Sequence, residues 1–508
     1  MTTPGIWTQW STIQPFISRK ALPGWVPAVD QLRVASYLQY EQIYWQAEEG
    51  TATVLRGDND RPIQMPTARS LVNTVNRYTA PGFTFRVDGD DATAVQVATV
   101  ALTNLFKRER FYAQFNGAKR MWLIQGDWFW HLLADPTKPL GRRLSLERLE
   151  PGSVFPVYES DIDSEGDPLK LIRVHIAETV SVENEIRVSR LTYDKVTNED
   201  GSTTIFRSHG IFTLEDWVTS SRPTRTILPR EPLPEEITAL PIYHLKNFDE
   251  TAPFGSSELR GLESTLLGIN QTVSDEDLTL AMEGLGVWAT DGGAPIDENG
   301  NQVDWILGPG RIITHANNLK RMDGVKSVVP YGDHYDRLVT AVKEALGASD
   351  VAMGRVDAGT AESGVALLLQ LGPMLAYTGE KDQTIIDVHT QLFHDLCIWF
   401  SVYEELELLQ PDDDGMPVPA VTVTPMIGEK IPVNRQQAID EVIRLRSTIP
   451  PLISLPTALA QLQAIGVVLA ENELDLIQQE ENTVLRGNAL PGAADDENQD
   501  NRTDQETE

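Results

Sequence analysis

Sulfur and positive charge are both scarce in this sequence. Among 508 residues there is one cysteine, Cys397. A lone thiol excludes an intramolecular disulfide and a thiolate zinc cluster, and it suits a reducing compartment. Lys and Arg together number 42 against 74 Asp and Glu, for a formal net charge of −32. A chain this acidic repels phosphate backbones, so ordinary duplex binding through basic side chains is not expected. Long apolar runs are also missing. The most apolar stretch, GVALLLQLGPMLAY, is interrupted by Gln370 and Pro373 and is too short to span a bilayer. The opening MTTPGIWTQW lacks the charged and apolar regions of a secretory signal. A soluble, intracellular protein is expected.

Catalytic motifs are missing as well. There is no G-x-x-x-x-G-K-[ST], no G-x-S-x-G and no H-E-x-x-H. DIDSEGD at 161–167 begins like a calcium loop, but its twelfth place is Ile172 where a bidentate Glu is needed, so an acidic hairpin turn is the better reading. His389 and His394 are five apart and do not share a helix face as metal ligands would; His394 reads as a packing or hydrogen-bonding residue. Cys397, in LCIWF, reads as core. Asp412, Asp413 and Asp414 read as a solvated run. The small basic clusters Lys107-Arg108-Arg110 and Arg142-Arg143 read as local salt-bridge partners. Carboxylate pairs are so abundant by composition that they identify no hydrolase site. No metal, cofactor or catalytic residue is assigned.

What is present is 41% apolar residues, ample for cores, in a length that suits roughly three or four domains. Periodicity predicts helices over 28–49, 67–79, 91–107 and 111–124, with a strand at 83–89. From 128 the period becomes two, and six strands follow: WFWHLLAD, LSLERL, VFPVYES, LKLIRVHIAE, EIRVSRLTYDKV and TTIFRS. Turns at Glu165-Gly166-Asp167 and Glu199-Asp200-Gly201 punctuate them, and one antiparallel sheet is expected. LPREPLPEE at 228–236 reads as a Pro-rich joint, and LPIYHLKN as a strand. A helix over 256–286 is followed by a small β-module: VWATDG, a hairpin at Asn299-Gly300, and GRIITHA at 310–316. Helix returns at 333–347. A Gly/Ala/Asp-rich loop then leads to a long helix from 364 to about 409, kinked at Pro373, with a buried stripe of Ile385, Val388, Leu392, Leu396, Trp399 and Tyr403. A linker spans 410–419. Helices near 434–447, 456–465 and 471–482 form a last unit, and the acidic end is expected to be disordered. The fold class is α+β.

The helix over 256–286 is rich in carboxylates. Ser256 reads as its N-cap and Glu258 as a first-turn anion. Leu259, Leu262, Leu266, Ile269 and Val273 form one stripe, with Arg260, Ser264, Gly268, Gln271 and Asp275 opposite. Ser274 and Asp277 make a weaker variant of a capping box, a place for the helix to bend or restart. Unbroken, the helix would reach roughly 45 Å.

Taken in order, these pieces resemble the portal protein of tailed bacteriophages. LPIYHLKNFDETAPFGSSELRGLESTLLGINQTVSD is similar to that family's entry into its stem. GASDVAMGRVDAGTAESGVALLLQLGPML is similar to its tunnel loop and the start of its long helix. GDWFWHLLAD with RLEPGSVFPVYES is similar to its wing, and SLPTALAQLQAIG with NELDLIQQEE to its crown. The resemblance implies a wing over 1–254, a first stem helix over 255–286 and a clip over 287–330. A second stem helix over 331–347 and a tunnel loop over 348–363 follow. A long kinked helix and linker over 364–431, a crown over 432–485 and an acidic tail over 486–508 complete the chain.

It further implies a dodecameric ring at one capsid vertex, assembled in the host cytoplasm and carried in the virion, through which double-stranded DNA passes in packaging and ejection without sequence-specific binding. The implied partners are the terminase large subunit, the major capsid protein and scaffold, and a head–tail adaptor. The ATPase is then a separate protein, in keeping with the missing P-loop. Asp350, Arg355, Asp357 and Glu362 become tunnel-loop candidates, and Arg260, Gln271 and Asp275 stem candidates. Two other classes compete. One is a carboxylate-dependent hydrolase on an α+β scaffold, which a convergent acidic pocket with raised carboxyl pKa values would favour. The other is a capsid-associated adaptor, against which length argues.

Overall fold

The fold is that of a computed structural model. It describes residues 26–45, 63–159, 170–198, 201–248, 252–285, 287–289, 320–322, 329–355, 364–412, 416–431, 435–448 and 452–464, with a few isolated positions besides. The chain divides into two compact units, Met1–Lys430 and Ile431–Glu508.

In the first unit, α1 (Gln31–Trp45) and α2 (Thr67–Tyr78) precede strand β1 (Thr84–Asp88), then α3 (Ala92–Arg108) and α4 (Phe111–Gln125). Asp91 caps α3 by accepting the amide of Thr93. Gly126, at φ +100°, ends α4 in the left-handed region, where a side chain would be strained. Eight strands follow: β2 (Asp127–Ala134), β3 (Leu144–Leu149), β4 (Val154–Tyr158), β5 (Leu171–Val182), β6 (Glu185–Thr197), β7 (Thr203–Phe212), β8 (Arg225–Pro232) and β9 (Ile242–Lys246). Helix α5 (Glu263–Leu285), strands β10 (Val287–Ala289) and β11 (Lys320–Met322), and helix α6 (Val329–Ala345) come next. Helix α7 (Gly364–Glu404) and strands β12 (Leu409–Pro411), β13 (Pro417–Pro419) and β14 (Thr422–Met426) close the unit.

The fold is α+β, but its strands do not form one sheet. They make a three-stranded sheet of order β3-β2-β9 and a five-stranded sheet of order β4-β5-β6-β7-β8, with smaller ladders β1-β14, β10-β11 and β12-β13. All pairings are antiparallel. The expected Pro-rich joint is largely strand β8. It lies at the edge of its sheet, the place where a strand tolerates proline because one side of its backbone needs no ladder partner. The expected linker at 410–419 contributes the β12-β13 ladder. The helix expected from Ser256 begins at Glu263, and it runs unbroken through Ser274 to Leu285. Ser274 caps nothing: its hydroxyl donates to Asn270 O and accepts the amide of Ile63.

Aromatic packing between α3, α4, β1, β2 and α7 forms the centre of this unit. Phe83 stacks on Phe115 with centroids 4.4 Å apart, and Phe106 stacks on Phe111 at 4.2 Å. Phe393 of α7 and Trp122, Trp128 and Trp130 are fully buried in the same region. Helix α7 continues unbroken past Pro373. Its predicted stripe is buried at Ile385, Leu392, Leu396 and Trp399, and half-buried at Val388 and Tyr403. Cys397 is buried, and burial pushes its thiol up to about 12. His389 accepts the indole N–H of Trp130 at 3.0 Å and donates from Nδ1 to Ile385 O, while burial holds it neutral by lowering its pKa to about 4.

The second unit contains α8 (Arg435–Ser447) and α9 (Leu455–Ala464), which bury Val442 and Ala458. The expected helix at 471–482 lies outside the described residues but for Glu473, Leu476 and Ile477. The loop at 161–167, the turn residue Asn299, GRIITHA and the acidic end lie outside them entirely. No described helix is long and apolar enough to cross a membrane.

Candidate functional site

Helices α5 and α6 form an antiparallel hairpin: Gly268 faces Leu338, and farther along the hydroxyls of Thr279 and Tyr331 approach to 3.4 Å. The β10-β11 ladder joins the ends of the pair. Among the hairpin residues whose burial is described, the buried ones lie toward one end. Along α5 the buried residues are Leu266, Ile269, Asn270 and Thr272, and none follows as far as Leu280; along α6 only Val342 is buried.

The sequence candidates scatter over this hairpin. Gln271 donates to Asp275 Oδ1 at 2.8 Å, one turn along α5, and both have further contacts. Arg260 is not with them. It is exposed in the turns before α5, and its guanidinium donates to Ser256 Oγ at 2.7 Å. In the loop after α6, Asp350 is paired with Lys343 at 2.6 Å, and Arg355 is exposed with its amide bonded to Asp350 O. Ala348 and Ala352 are buried, so the first part of this Gly/Ala/Asp-rich loop packs against the body of the unit. Asp357 and Glu362 lie outside the described residues.

The most connected polar constellation is at the root of the hairpin, and it was not predicted. Asp127, the first residue of β2, is fully buried. It accepts from Tyr37 Oη on α1, from His244 Nε2 on β9 at 2.7 Å and from the Gly255 amide at 2.8 Å. Burial opposes its ionisation, but these donors outweigh burial and hold its carboxyl below the usual range. Burial lowers His244 in turn, so a neutral imidazole donates to an ionised carboxylate. Arg33 adds a third layer. It pairs with Asp30, donates to Tyr37 Oη and to the carbonyls of Pro151 and Val154, and lies 4.2 Å over the Phe254 ring.

A second buried cluster adjoins the first through Asn247 and Gly255. Glu258, expected as a first-turn anion of the helix, lies before its start and is 2% exposed. One of its oxygens pairs with Lys381 Nζ of α7 at 2.6 Å and accepts Asn247 Nδ2 at 3.0 Å; the other accepts Tyr377 Oη. Lys381 also donates to Asn247 Oδ1 at 2.7 Å and lies 3.7 Å over the Phe248 ring. The backbone locks the same place: Asn247 N donates to Gly126 O, Ser256 N to Asn247 O, and Glu258 N to Leu123 O. A buried carboxylate needs this density of donors. That need explains the late start of α5. Residues 256–262 turn Glu258 inward before the chain can wind into a helix. The readable signal was Lys381, a charged residue four places before Ile385 on the apolar stripe of α7.

This arrangement fastens elements together. Both carboxylates are saturated by fixed donors. Carboxyls raised by burial lie elsewhere: Glu41, pushed up to about 7 with Glu150 nearby, and Glu147 and Glu178, near each other. Among the described residues no group of three or more His, Cys, Asp or Glu is placed to hold a metal ion. Within the basic clusters, Arg108 pairs with Glu109, and Arg143 with Glu405 and the Tyr403 carbonyl.

No family model and no curated protein matches the chain. Among solved structures it is similar to a chain of one described as "Neck of empty GTA particle computed with C6 symmetry", at 13% identity and a TM-score of 0.41, over 78% of this chain and 90% of that one.

Proposed function

We propose that this chain is the portal subunit of a tailed bacteriophage, a non-enzymatic ring protein of the capsid vertex. The observation that carries the reading is the α5–α6 hairpin, which is rooted in a buried polar junction, joined at its far end by a β-ladder, and left largely unburied along its sides in the single chain. Two adjacent helices with so little buried on their own chain suit packing against copies of themselves around a ring. The order of pieces seen in the sequence fits the same architecture, with the hairpin as stem and the segment between its strands as clip.

In this reading double-stranded DNA passes through the ring without sequence-specific contacts. Acidic walls suit that task, because cationic walls would release counterions and hold the polymer. The terminase large subunit supplies the motor, the head–tail adaptor binds the clip, and the major capsid protein and scaffold receive the ring. Twelve copies would carry 12 × −32 = −384 formal charges, so the contacts between neighbours must be apolar or paired.

The test is mass under native conditions. A dodecamer of 56.4 kDa chains gives about 0.7 MDa, with rings visible by electron microscopy. A stable monomer at high protein concentration, with no rings, would overturn the reading.

A further inference from the structure

On this acidic chain one cavity is basic. It measures about 480 Å³ and lies on one face of the five-stranded sheet, walled by the segment from Val218 to Pro223. Register puts its polar residues on that face. Arg173 pairs across β5-β6 with Asp194, His175 with Thr192 and Ala177 with Arg190, while Thr192 and Arg190 pair across β6-β7 with Ser208 and Gly210. Toward the other end of the same face the residues become apolar, with Ala177, Val188 and Phe212 packed around Trp217.

Each arginine is held. Arg190, 8% exposed, donates to the carbonyls of Trp217, Val218 and Ser220 and lies 3.9 Å over Phe212, so it pins the wall to the floor. Gly210 admits that wall, since a Cβ there would overlap Pro223. Arg173 donates from Nε to Asp194 Oδ1. Arg230 stacks 3.6 Å over Phe206 and reaches the other oxygen of Asp194 at 3.7 Å. Two guanidiniums therefore converge on one carboxylate with a third behind them, and the cavity carries +3 − 1 = +2. Its own groups register that field. His175 is driven down to about 3 by burial and by Arg190 and Arg173, and Arg190 is lowered to about 10 by burial and by Arg173.

We propose that this cavity is a binding site for a small phosphate-bearing anion, held between the guanidiniums of Arg173 and Arg230, with Ser208 and Thr226 lining the same space. Its volume falls in the range of small-ligand sites. Planar guanidiniums fixed by stacking or pairing match phosphate oxygens in pairs. The −32 chain disfavours a long polyanion but not a compact one that neutralises this excess.

The experiment titrates the full-length protein with inorganic phosphate, pyrophosphate and ADP by calorimetry at low salt. Saturable binding of at least one of them, at one site per chain, is expected. Tighter pyrophosphate points to a bare inorganic anion and tighter ADP to a phosphorylated organic one, and either satisfies the proposal. Arg173→Gln and Arg230→Gln should each weaken binding about tenfold or more, while Arg86→Gln, at an exposed position of β1, should leave it unchanged. Asp194→Asn, which removes the built-in competitor, should tighten it. Circular dichroism of the variants separates lost binding from lost fold. No saturable binding of any of the three at millimolar concentration overturns the proposal. So does binding that survives Arg173→Gln with Arg230→Gln, or duplex DNA displacing the small anions at equal phosphate concentration. None of these outcomes depends on whether the chain forms a ring.

Discussion

Lys381 Nζ lies 2.6 Å from Glu258 Oε1, with both side chains at most 5% exposed. The pair joins the middle of α7 to the turns that launch α5, so it ties the hairpin to the body. Removing one partner of a buried pair strands the other charge and costs about 3–5 kcal/mol. Glu258→Gln and Lys381→Met should each lower unfolding free energy in urea by that order. The double variant should lose less than the sum of the two, because neither charge is then left alone. A Glu258→Gln protein within about 1 kcal/mol of the parent would show that the pair is not the fastening.

Gly255 and Gly379 make a matched comparison. A Cβ on Gly255 would overlap the Gly126 carbonyl and the Asn247 amide, where backbone leaves no room. A Cβ on Gly379, within α7, would meet nothing within 4 Å. Gly255→Ala should therefore displace the junction and lower the thermal midpoint markedly. Gly379→Ala should be neutral or stabilising by up to about 1 kcal/mol, the usual gain from replacing a helical glycine. Equal effects of the two on the melting curve would count against the packing described here.

Arg355 is exposed, and its backbone, not its guanidinium, makes the bond that shapes the turn. Arg355→Ala should leave folding and any ring unchanged, within about 0.5 kcal/mol of the parent. In the portal reading the variant should package or retain DNA less well, since this is the one cation between Gly347 and Ser363. Normal yields of full, stable particles would remove Arg355 from the mechanism.

Local periodicity made much of the fold legible. The helices around Leu71, Leu102 and Trp122 and the strands through Trp130 and Val188 fall where apolar spacing puts them. The misreadings share one cause: the deciding partner was far away in sequence. Pro229 and Pro232 suggest a joint until β8 is seen to be an edge strand. Trp130 reads as part of one sheet with Val188, yet β2 pairs with β9, more than a hundred residues on. Ser256 and Glu258 look like a helix start because serine and an acid usually are one. What overrides that preference is Lys381, and only the tertiary structure brings it there. The root cluster at Asp127 and Tyr37 was invisible for the same reason, and the Arg173–Arg230 cavity needs strand register that spacing alone does not supply.

Helix α7 holds polar contacts with four different segments of the chain along its length. Lys381 meets Glu258, Asp382 accepts the amide of Ala80, His389 accepts from Trp130, and Asp395 accepts from Tyr243. Sliding the helix by one turn, about 5.4 Å, would disturb all four together, since no residue of the same type as Lys381, Asp382, His389 or Asp395 stands three or four places from it along α7. The helix thus behaves as a keyed shaft with no second notch, unlike packed helices that ratchet between registers. A rearrangement that kept these four bonds would have to move the segments they join as a block.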